Sequence, residues 1–216
     1  MSFDAPIAQG KPYCVVLGPF PPPVTGAAKN TRNMLDALRM NEVRATPVST
    51  AVDVTRETAG RFYHLHRLRR VLHVVRALRR ARDADGTLYF VPDAGLGTWY
   101  SVLYALAGAG GFRRIVFHHR SFLYITAPSP AMRLLVRFTR HRASHVCLSE
   151  AMAERFAAAY GLSPAAMRVA GNACFVQNML PPEGEPAAIR KRVTIGHLSN
   201  LRARGVQQVQ PGFDRG

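Results

Sequence analysis

The sequence predicts an α/β fold, with a Rossmann-like, mostly parallel sheet and helices on both of its faces. Apolar runs suited to strands lie at residues 13–17, 43–48, 87–91, 114–118, 144–148 and 166–170. Helix-like segments separate these runs, and this alternation is typical of a doubly wound sheet. Hydrophobic residues make up 48% of the 216 residues, which is enough to bury a sizeable core. Ligands are therefore expected beyond the carboxyl ends of the strands.

The first predicted strand leads into a stiff loop and then a helix. Four prolines lie between Gly18 and Gly26, and the helix that follows runs to about Arg39. The first turn of a helix offers unpaired N–H groups and a partial positive charge, so an anionic ligand could approach the backbone at Gly26 and Ala27. The glycine spacing matches neither a dinucleotide fingerprint nor a P-loop. A rigid surface turn without a ligand is the alternative interpretation.

Two further helical segments are strongly basic. Residues 61–82 place apolar side chains at helical spacing, which predicts a buried face made of Leu65, Leu68, Leu72, Val75 and Leu78. Arginines mostly occupy the other faces of this helix, and residues 132–142 repeat the pattern. Three interpretations of the basic faces stay open: an anionic membrane surface, a nucleic acid, or a solvated face over a packed core.

Residues 94–112 form an uncharged stretch that approaches the length of a membrane span. Five glycines interrupt it, so it is predicted to be a buried helix of the α/β domain. Residues 1–12 show neither the basic opening nor the apolar region of a signal peptide, and we expect a cytoplasmic protein.

The three cysteines are predicted to be reduced thiols. Cys14, Cys147 and Cys174 lie far apart, mostly in apolar runs, without the spacing of metal ligands or of a redox pair. No metal site is expected, because no cluster of carboxylates suggests one.

Polar residues follow the later strands. His118 and His119 end the fourth predicted strand, and because side chains alternate along a strand only one of them can face a cleft directly. Ser149 and Glu150 follow the fifth strand, where a helix cap with an acidic first turn is the structural alternative. Asn172 follows the sixth strand, and a simple turn residue is the alternative there.

The composition changes after Asn172. Residues 175–192 are rich in Pro, Glu and Gly and show no period, which indicates a linker. The predicted organisation is an N-terminal tail at 1–12, an α/β domain at 13–174, a linker at 175–192, and the first strand and loop of a second domain at 193–216.

Five segments carry a resemblance to a known family. In chain order they are VVLGPFPPPVTGAA with the following TRNMLDAL, YFVP, IVFHHRSF, VCLSE and IGHLSNL. Together they resemble the retaining glycosyltransferases of the two-domain GT-B type, the group often called family 4. The resemblance covers nearly the whole chain and identifies residues 13–174 with the N-terminal, acceptor half of a GT-B fold.

This resemblance implies transfer of a hexosyl group from a nucleotide-diphosphate sugar, a co-substrate, to a glycan or lipid-linked acceptor, without a metal or other cofactor. His119, with His118 beside it, would be catalytic near the acceptor hydroxyl. The implied binding residues are Gly18, Gly26, Ala27 and Arg204 for the donor phosphate, and Arg120, Ser149, Glu150 and Asn172 for the acceptor or interdomain cleft.

The donor domain of the family, with its E-x7-E glutamate pair, is nearly absent from this sequence. We therefore expect a truncated chain with impaired catalysis. The alternative function is a non-catalytic basic protein that binds nucleic acid or an anionic membrane surface, which a net charge of +16 favours on electrostatic grounds. Zinc-finger spacing and RNP-like aromatic patterns are missing, so nucleic acid is the less expected partner. The resemblance implies an anionic surface at the inner membrane face instead.

Overall fold

The computed structural model describes residues 11–52 and 60–172, except for the side chains of residues 62–64. The predicted linker at 175–192 and the predicted second-domain segment at 193–216 lie outside the described residues. Most of the predicted tail at 1–12 lies outside them as well.

Strands and helices alternate along the described ranges. The strands are β1 (Tyr13–Gly18), β2 (Arg44–Ser49), β3 (Asp83–Phe90), β4 (Phe112–His118), β5 (Ala143–Cys147) and β6 (Met167–Val169). The α-helices are α1 (Gly26–Met40), α2 (Tyr63–Arg80), α3 (Thr98–Ala109), α4 (Leu123–Thr126), α5 (Pro130–Thr139) and α6 (Glu150–Tyr160). The six predicted strands are confirmed, although β3 begins at Asp83 because a register irregularity lets the polar segment before Thr87 join the strand.

The six strands form one parallel sheet in the order β2-β1-β3-β4-β5-β6. The chain moves from β1 to β2 in one direction and then crosses back to β3, so the strand order reverses between β1 and β3. The α/β, Rossmann-like fold predicted from the sequence is therefore confirmed. In an open sheet of this kind, the crevice at such a reversal is where ligands bind.

Both faces of the sheet are covered by helices, which was also predicted. Of the described helices, α1 packs on one face, where Leu35 meets Val16 and Tyr89. The opposite face carries α2, α3, α5 and α6, and its core includes Leu17 and Phe90. This division follows from the alternation of side chains along each strand. Cys14 and Cys147 are buried free thiols, as expected, whereas Cys174 lies outside the described residues.

Side-chain caps start helices α1, α5 and α6. Thr25 precedes α1 and accepts a hydrogen bond from the N–H of Ala28 at 3.1 Å. Ser129 precedes α5 and caps it in the same way, with a proline at the first helical position. Gly161 ends α6 in the left-handed conformation, with φ at +63°. These caps pair backbone groups that the helix itself leaves unpaired.

Two helices differ from their predictions. In α2 the buried residues are Val71, Val74 and Leu78, whereas Leu65, Leu68 and Leu72 are exposed. The helix carries two apolar stripes, and only one of them can face the sheet. The predicted buried helix at 94–112 is the shorter α3, and its Trp99, Leu103 and Leu106 are exposed although the opposite side is buried. Among the described residues, no helix combines the length and the apolar character needed to cross a membrane.

Strand β2 forms one edge of the sheet. It carries Pro47, which lies in register with Val16 of β1, and a proline is tolerated at an edge because the backbone donor it removes is not needed by a further strand. Arg44, Thr46 and Pro47 are all exposed, which explains the weak alternation of this segment.

Candidate functional site at the carboxyl edge of the sheet

The first turn of α1 is an exposed surface at the reversal point of the sheet. Gly26 and Ala27 are exposed, and their N–H groups have no hydrogen-bond partner among the residues that the structure describes. The next two N–H groups are occupied, because Ala28 donates to the Thr25 side chain and Lys29 to the Thr25 carbonyl. A Cβ added at Gly26 would meet no atom within 4 Å. The turn therefore offers two N–H groups and the helix dipole to an approaching anion.

Gly18 lies beneath this surface rather than on it. The residue is buried at the end of β1, and a Cβ added there would lie 3.2 Å from both Thr31 Cγ2 and Val91 Cβ. A glycine at this position lets α1 pack closely on the ends of β1 and β3. The structure thus leaves Gly26 and Ala27 exposed at the surface, and gives Gly18 a packing role below them.

Arg120 connects the end of β4 to α1. Its Nη1 donates to the carbonyl oxygen of Ala27 at 3.2 Å and to Thr31 Oγ1 at 3.3 Å. Its Nη2 donates to the carbonyl oxygen of Asn30 at 3.4 Å and to the Tyr89 hydroxyl at 3.1 Å. The buried Nε has no hydrogen-bond partner in the described part of the chain. The predicted cleft residue therefore holds the first turn of α1 in place and puts a fixed positive charge behind it.

His118 is buried in the same network. Its Nδ1 hydrogen-bonds the Tyr89 hydroxyl, which also accepts from Arg120, so the Tyr89 proton is directed to Nδ1 and the His118 proton lies on Nε2. Burial, followed by the nearby Arg120 charge, lowers the pKa of His118 to about 4. Burial also raises the pKa of Tyr89 to about 12, and Arg120 opposes that shift. His118 is therefore neutral at pH 7.

His119 points into the opposite face of the sheet and lies in an aromatic cluster. Its Nε2 is 2.9 Å from His145 Nδ1, its Nδ1 is 3.2 Å from the Tyr124 hydroxyl, and its ring centroid is 4.0 Å from that of Phe156. Burial, followed by the neighbouring His145 and His118, holds the pKa of His119 well below its usual range. Burial alone lowers the pKa of His145 to about 4.

This environment bears on the catalytic role predicted for His119. The side chain is fully buried and both ring nitrogens are engaged by protein groups. It therefore presents no accessible nitrogen to an acceptor hydroxyl in this structure. As predicted from the alternation of side chains along a strand, His118 and His119 lie on opposite faces of the sheet. The His119 side chain, however, lies in the core beneath α6 and not in a cleft.

The remaining predicted residues lie farther along the same edge. Ser149 caps α6 by accepting from the N–H of Met152 at 3.2 Å, and Glu150 is an exposed acidic residue in the first turn. Asn172 is exposed just beyond β6. No hydrogen bond within the described residues joins these three side chains to Arg120 or α1. Arg204 lies outside the described residues.

An ion pair that the sequence analysis missed lines a pocket beside the α1 turn. Arg67 Nη2 of α2 lies 2.9 Å from Asp93 Oδ2, and the side chains are 11% and 24% exposed. Burial raises the pKa of Asp93, whereas the Arg67 charge and hydrogen bond oppose the shift. The pocket has a volume of about 150 Å³ and is also lined by Phe20, Thr25 and Thr50.

The position of Asp93 could have been noticed from the sequence. It follows the third strand, and the start of α3 fixes it, because Ser101 Oγ accepts from its N–H at 2.9 Å and Thr98 Oγ1 donates to its carbonyl oxygen at 3.1 Å. Arg67 is one of many arginines in its helix, and nothing local singles it out. Its guanidinium also lies 4.7 Å from the centre of the Tyr100 ring.

Among the described residues, no group of three or more His, Cys, Asp or Glu side chains is arranged to hold a metal ion.

Comparison of the chain with protein-family models, with curated proteins and with solved structures gave no match.

Proposed function

We propose that residues 13–172 form the acceptor-side half of a retaining GT-B glycosyltransferase. The reaction would transfer a hexosyl group from a nucleotide-diphosphate sugar to a glycan or lipid-linked acceptor. The observation that carries the proposal is the exposed first turn of α1, where the N–H groups of Gly26 and Ala27 have no partner among the described residues and which follows β1 at the reversal of strand order. Ligands of open α/β sheets bind at this position. The reaction type is inferred from the five sequence segments that resemble the glycosyltransferase family.

The donor diphosphate would meet the N–H groups of Gly26 and Ala27. Negative charge develops on the diphosphate as the sugar leaves, and donors already aimed at that charge lower the barrier without reorganising. Lys29 and Arg32 are exposed on the same helix and add positive potential around the turn. Arg120 would act as a positioning residue, because its hydrogen bonds to Ala27 and Asn30 keep the turn in place.

The acceptor would bind in the pocket that contains the Arg67–Asp93 pair. A carboxylate that accepts hydrogen bonds and a guanidinium that donates them are suited together to the hydroxyl groups of a sugar. The pocket shares Thr25 with the α1 turn, so a ligand in the pocket and a diphosphate on the turn would be neighbours. This arrangement would bring the two substrates together on one side of the sheet edge.

Binding of UDP, GDP and ADP to the purified full chain tests the proposal. We expect at least one of them to bind the wild-type chain and Gly26→Val to abolish that binding, because the valine side chain would cover the two N–H groups. Gly110→Val is the matched control, since a Cβ at Gly110 also meets no atom within 4 Å but lies at the far end of α3. Circular dichroism verifies that both variants fold.

Two results would contradict this function. Equal nucleotide affinity in Gly26→Val and the wild-type chain would remove the α1 turn from the site. Failure of the wild-type chain to bind any of the three nucleotides would overturn the proposal altogether. If binding is found, transfer of labelled hexose from the matching nucleotide sugar, with the anomeric configuration read by NMR, tests the reaction itself.

A further inference from the structure

The outer surface of α2 and α3 exposes six large apolar side chains, which we term the apolar band. They are Leu65, Leu68 and Leu72 of α2 and Trp99, Leu103 and Leu106 of α3. Each is between 44% and 51% exposed. Single exposed leucines are common on protein surfaces, but a contiguous apolar patch on a folded domain marks an interaction surface.

The two stripes of the band lie side by side. Helix α2 packs against α3, and Arg67 near the start of α2 lies over the ring of Tyr100 near the start of α3. The side of α2 that points away from α3 lies near β2. Arg70 is on that side, where it donates a hydrogen bond to the carbonyl oxygen of Ala51, just after β2. Leu65, Leu68 and Leu72 are therefore on the side of α2 that is nearer to α3. Side chains three, four and seven positions apart share one side of a helix, which aligns the stripe on α3 as well.

Helix α5 lies on the side of α3 away from α2 and extends the apolar band there. It packs against α3, and its Phe138 is 55% exposed. Arg133, Arg137 and Arg140 lie on the side of α5 that faces α6, where they line a pocket with Tyr160. Phe138 thus lies on the side of α5 toward α3, and the apolar surface spans three neighbouring helices.

The charges around the band have one sign. Neither α2, α3 nor α5 contains an Asp or Glu, and α3 contains no charged residue at all. Exposed arginines flank the band at positions 69, 76, 79 and 80 of α2, at 133 and 137 of α5, and at 140 immediately after α5. An apolar centre with a tryptophan and a rim of arginines is the composition of surfaces that lie in the headgroup region of a bilayer.

We propose that the apolar band docks this domain on an anionic lipid bilayer. Leucines and Trp99 would enter the boundary between headgroups and acyl chains, and the arginines on both flanks would contact anionic headgroups. A second copy of the chain is a poorer occupant, because pairing two bands would bring their arginine rims together. The proposal is independent of the glycosyltransferase function.

The test uses the fluorescence of Trp99, which is the only tryptophan of the chain. The full chain is mixed with vesicles of phosphatidylcholine alone or with added phosphatidylglycerol. We expect a blue shift of the emission with the anionic vesicles, and quenching by brominated phospholipids, because the indole moves out of water. Cosedimentation gives the partition coefficient, which we expect to fall as salt is raised.

Matched variants separate the contribution of the apolar side chains to vesicle binding from that of the arginines. Leu68→Ser with Leu103→Ser removes two band residues and should weaken partition by about tenfold or more. Val24→Ser with Met40→Ser is the control, because those side chains are more exposed but lie outside the band. Arg76→Gln with Arg79→Gln should weaken anionic binding more than Arg113→Gln with Arg114→Gln, which removes the same charge from β4.

Three outcomes would overturn the proposal. The first is unchanged Trp99 emission and no cosedimentation with anionic vesicles. The second is concentration-dependent dimerisation that Leu68→Ser with Leu103→Ser abolishes, since the band would then be a contact between copies. The third is salt-sensitive binding to DNA or RNA that the arginine variants weaken, without any affinity for the vesicles.

Discussion

Arg120 donates a hydrogen bond from Nη1 to the carbonyl oxygen of Ala27 over 3.2 Å, although 93 residues separate them in the chain. The same guanidinium reaches Tyr89 of β3, so one side chain connects α1 with the ends of two strands. The first turn of α1 is therefore held by tertiary contacts as well as by its Thr25 cap. Its geometry should depend on the shape of the group at position 120 and not only on its charge.

We expect Arg120→Lys to lower the free energy of unfolding by about 1–3 kcal/mol, because an ammonium cannot reproduce the planar fork that reaches four acceptors. Urea denaturation measures this change. Arg114→Lys is the control, since Arg114 lies on the same strand with an exposed side chain. An equal loss of stability in the two variants would show that the fork is unimportant.

We expect Gly18→Ala to lower the free energy of unfolding by about 1–3 kcal/mol through overpacking. The added methyl would lie 3.2 Å from Thr31 Cγ2 and from Val91 Cβ, and β-branched side chains have little freedom to move aside. Thermal unfolding measures the effect. Gly110→Ala should cost far less, because its methyl group would enter open space. A Gly18→Ala chain as stable as the wild type would contradict the close packing of α1.

The Arg67–Asp93 pair should show a favourable coupling energy of about 1–3 kcal/mol. Both side chains are largely shielded from water, so Asp93→Asn alone leaves a guanidinium without its carboxylate. Adding Arg67→Met to Asp93→Asn should restore part of the lost stability. A double-mutant cycle measured by denaturation gives the coupling energy, and strictly additive effects would argue against an energetically important pair.

Stability should fall as the pH is lowered from about 6.5 toward 4. The folded-state pKa values of His118 and His145 are about 4, below the value of about 6.5 expected in the unfolded chain. The unfolded state therefore takes up more protons in this window, and each histidine should remove about 1.4 kcal/mol per pH unit. The raised pKa of Asp93 acts in the opposite direction and reduces the net slope.

A pair of variants isolates the histidine contribution. His145→Asn keeps a polar atom near the position of Nδ1 but cannot titrate, so the slope of unfolding free energy against pH should become shallower. His73→Asn is the control, because His73 is exposed on α2. Equal slopes for these two variants would mean that His145 does not titrate differently in the folded and unfolded states.

Local sequence patterns were enough to predict the sheet but not the way its helices face. Each strand contains or overlaps a short apolar run, so its approximate position follows from the residues themselves. Helix α2 carries two apolar stripes, one containing Leu68 and the other Val74, and periodicity alone does not show which of them is buried. The choice depends on how the helix is seated on the sheet, which puts Val71, Val74 and Leu78 in the core.

The part of the candidate site that is built from residues adjacent in sequence was predicted, and the part that depends on contacts between distant elements was not. The exposed turn at Gly26 and Ala27 follows from a strand, a loop and a helix start that are adjacent in sequence. The burial of His119 depends on Phe156 and His145, which come from later elements that pack over the strand end. The Arg67–Asp93 pair joins two residues that are 26 positions apart and needs the β2 to β3 crossover to form.

Pro47 has a consequence for how this protein can associate with itself. A sheet grows into a neighbouring molecule by adding a strand at an edge, and it needs unbroken backbone donors there. β2 is such an edge, but Pro47 in the middle of its six residues removes one donor, and the adjacent Thr46 and Arg44 present a polar and a charged side chain. Fibril-like stacking through β2 is thereby disfavoured. A strand from a second molecule could therefore pair with the described sheet more readily at its other edge, β6, than at β2.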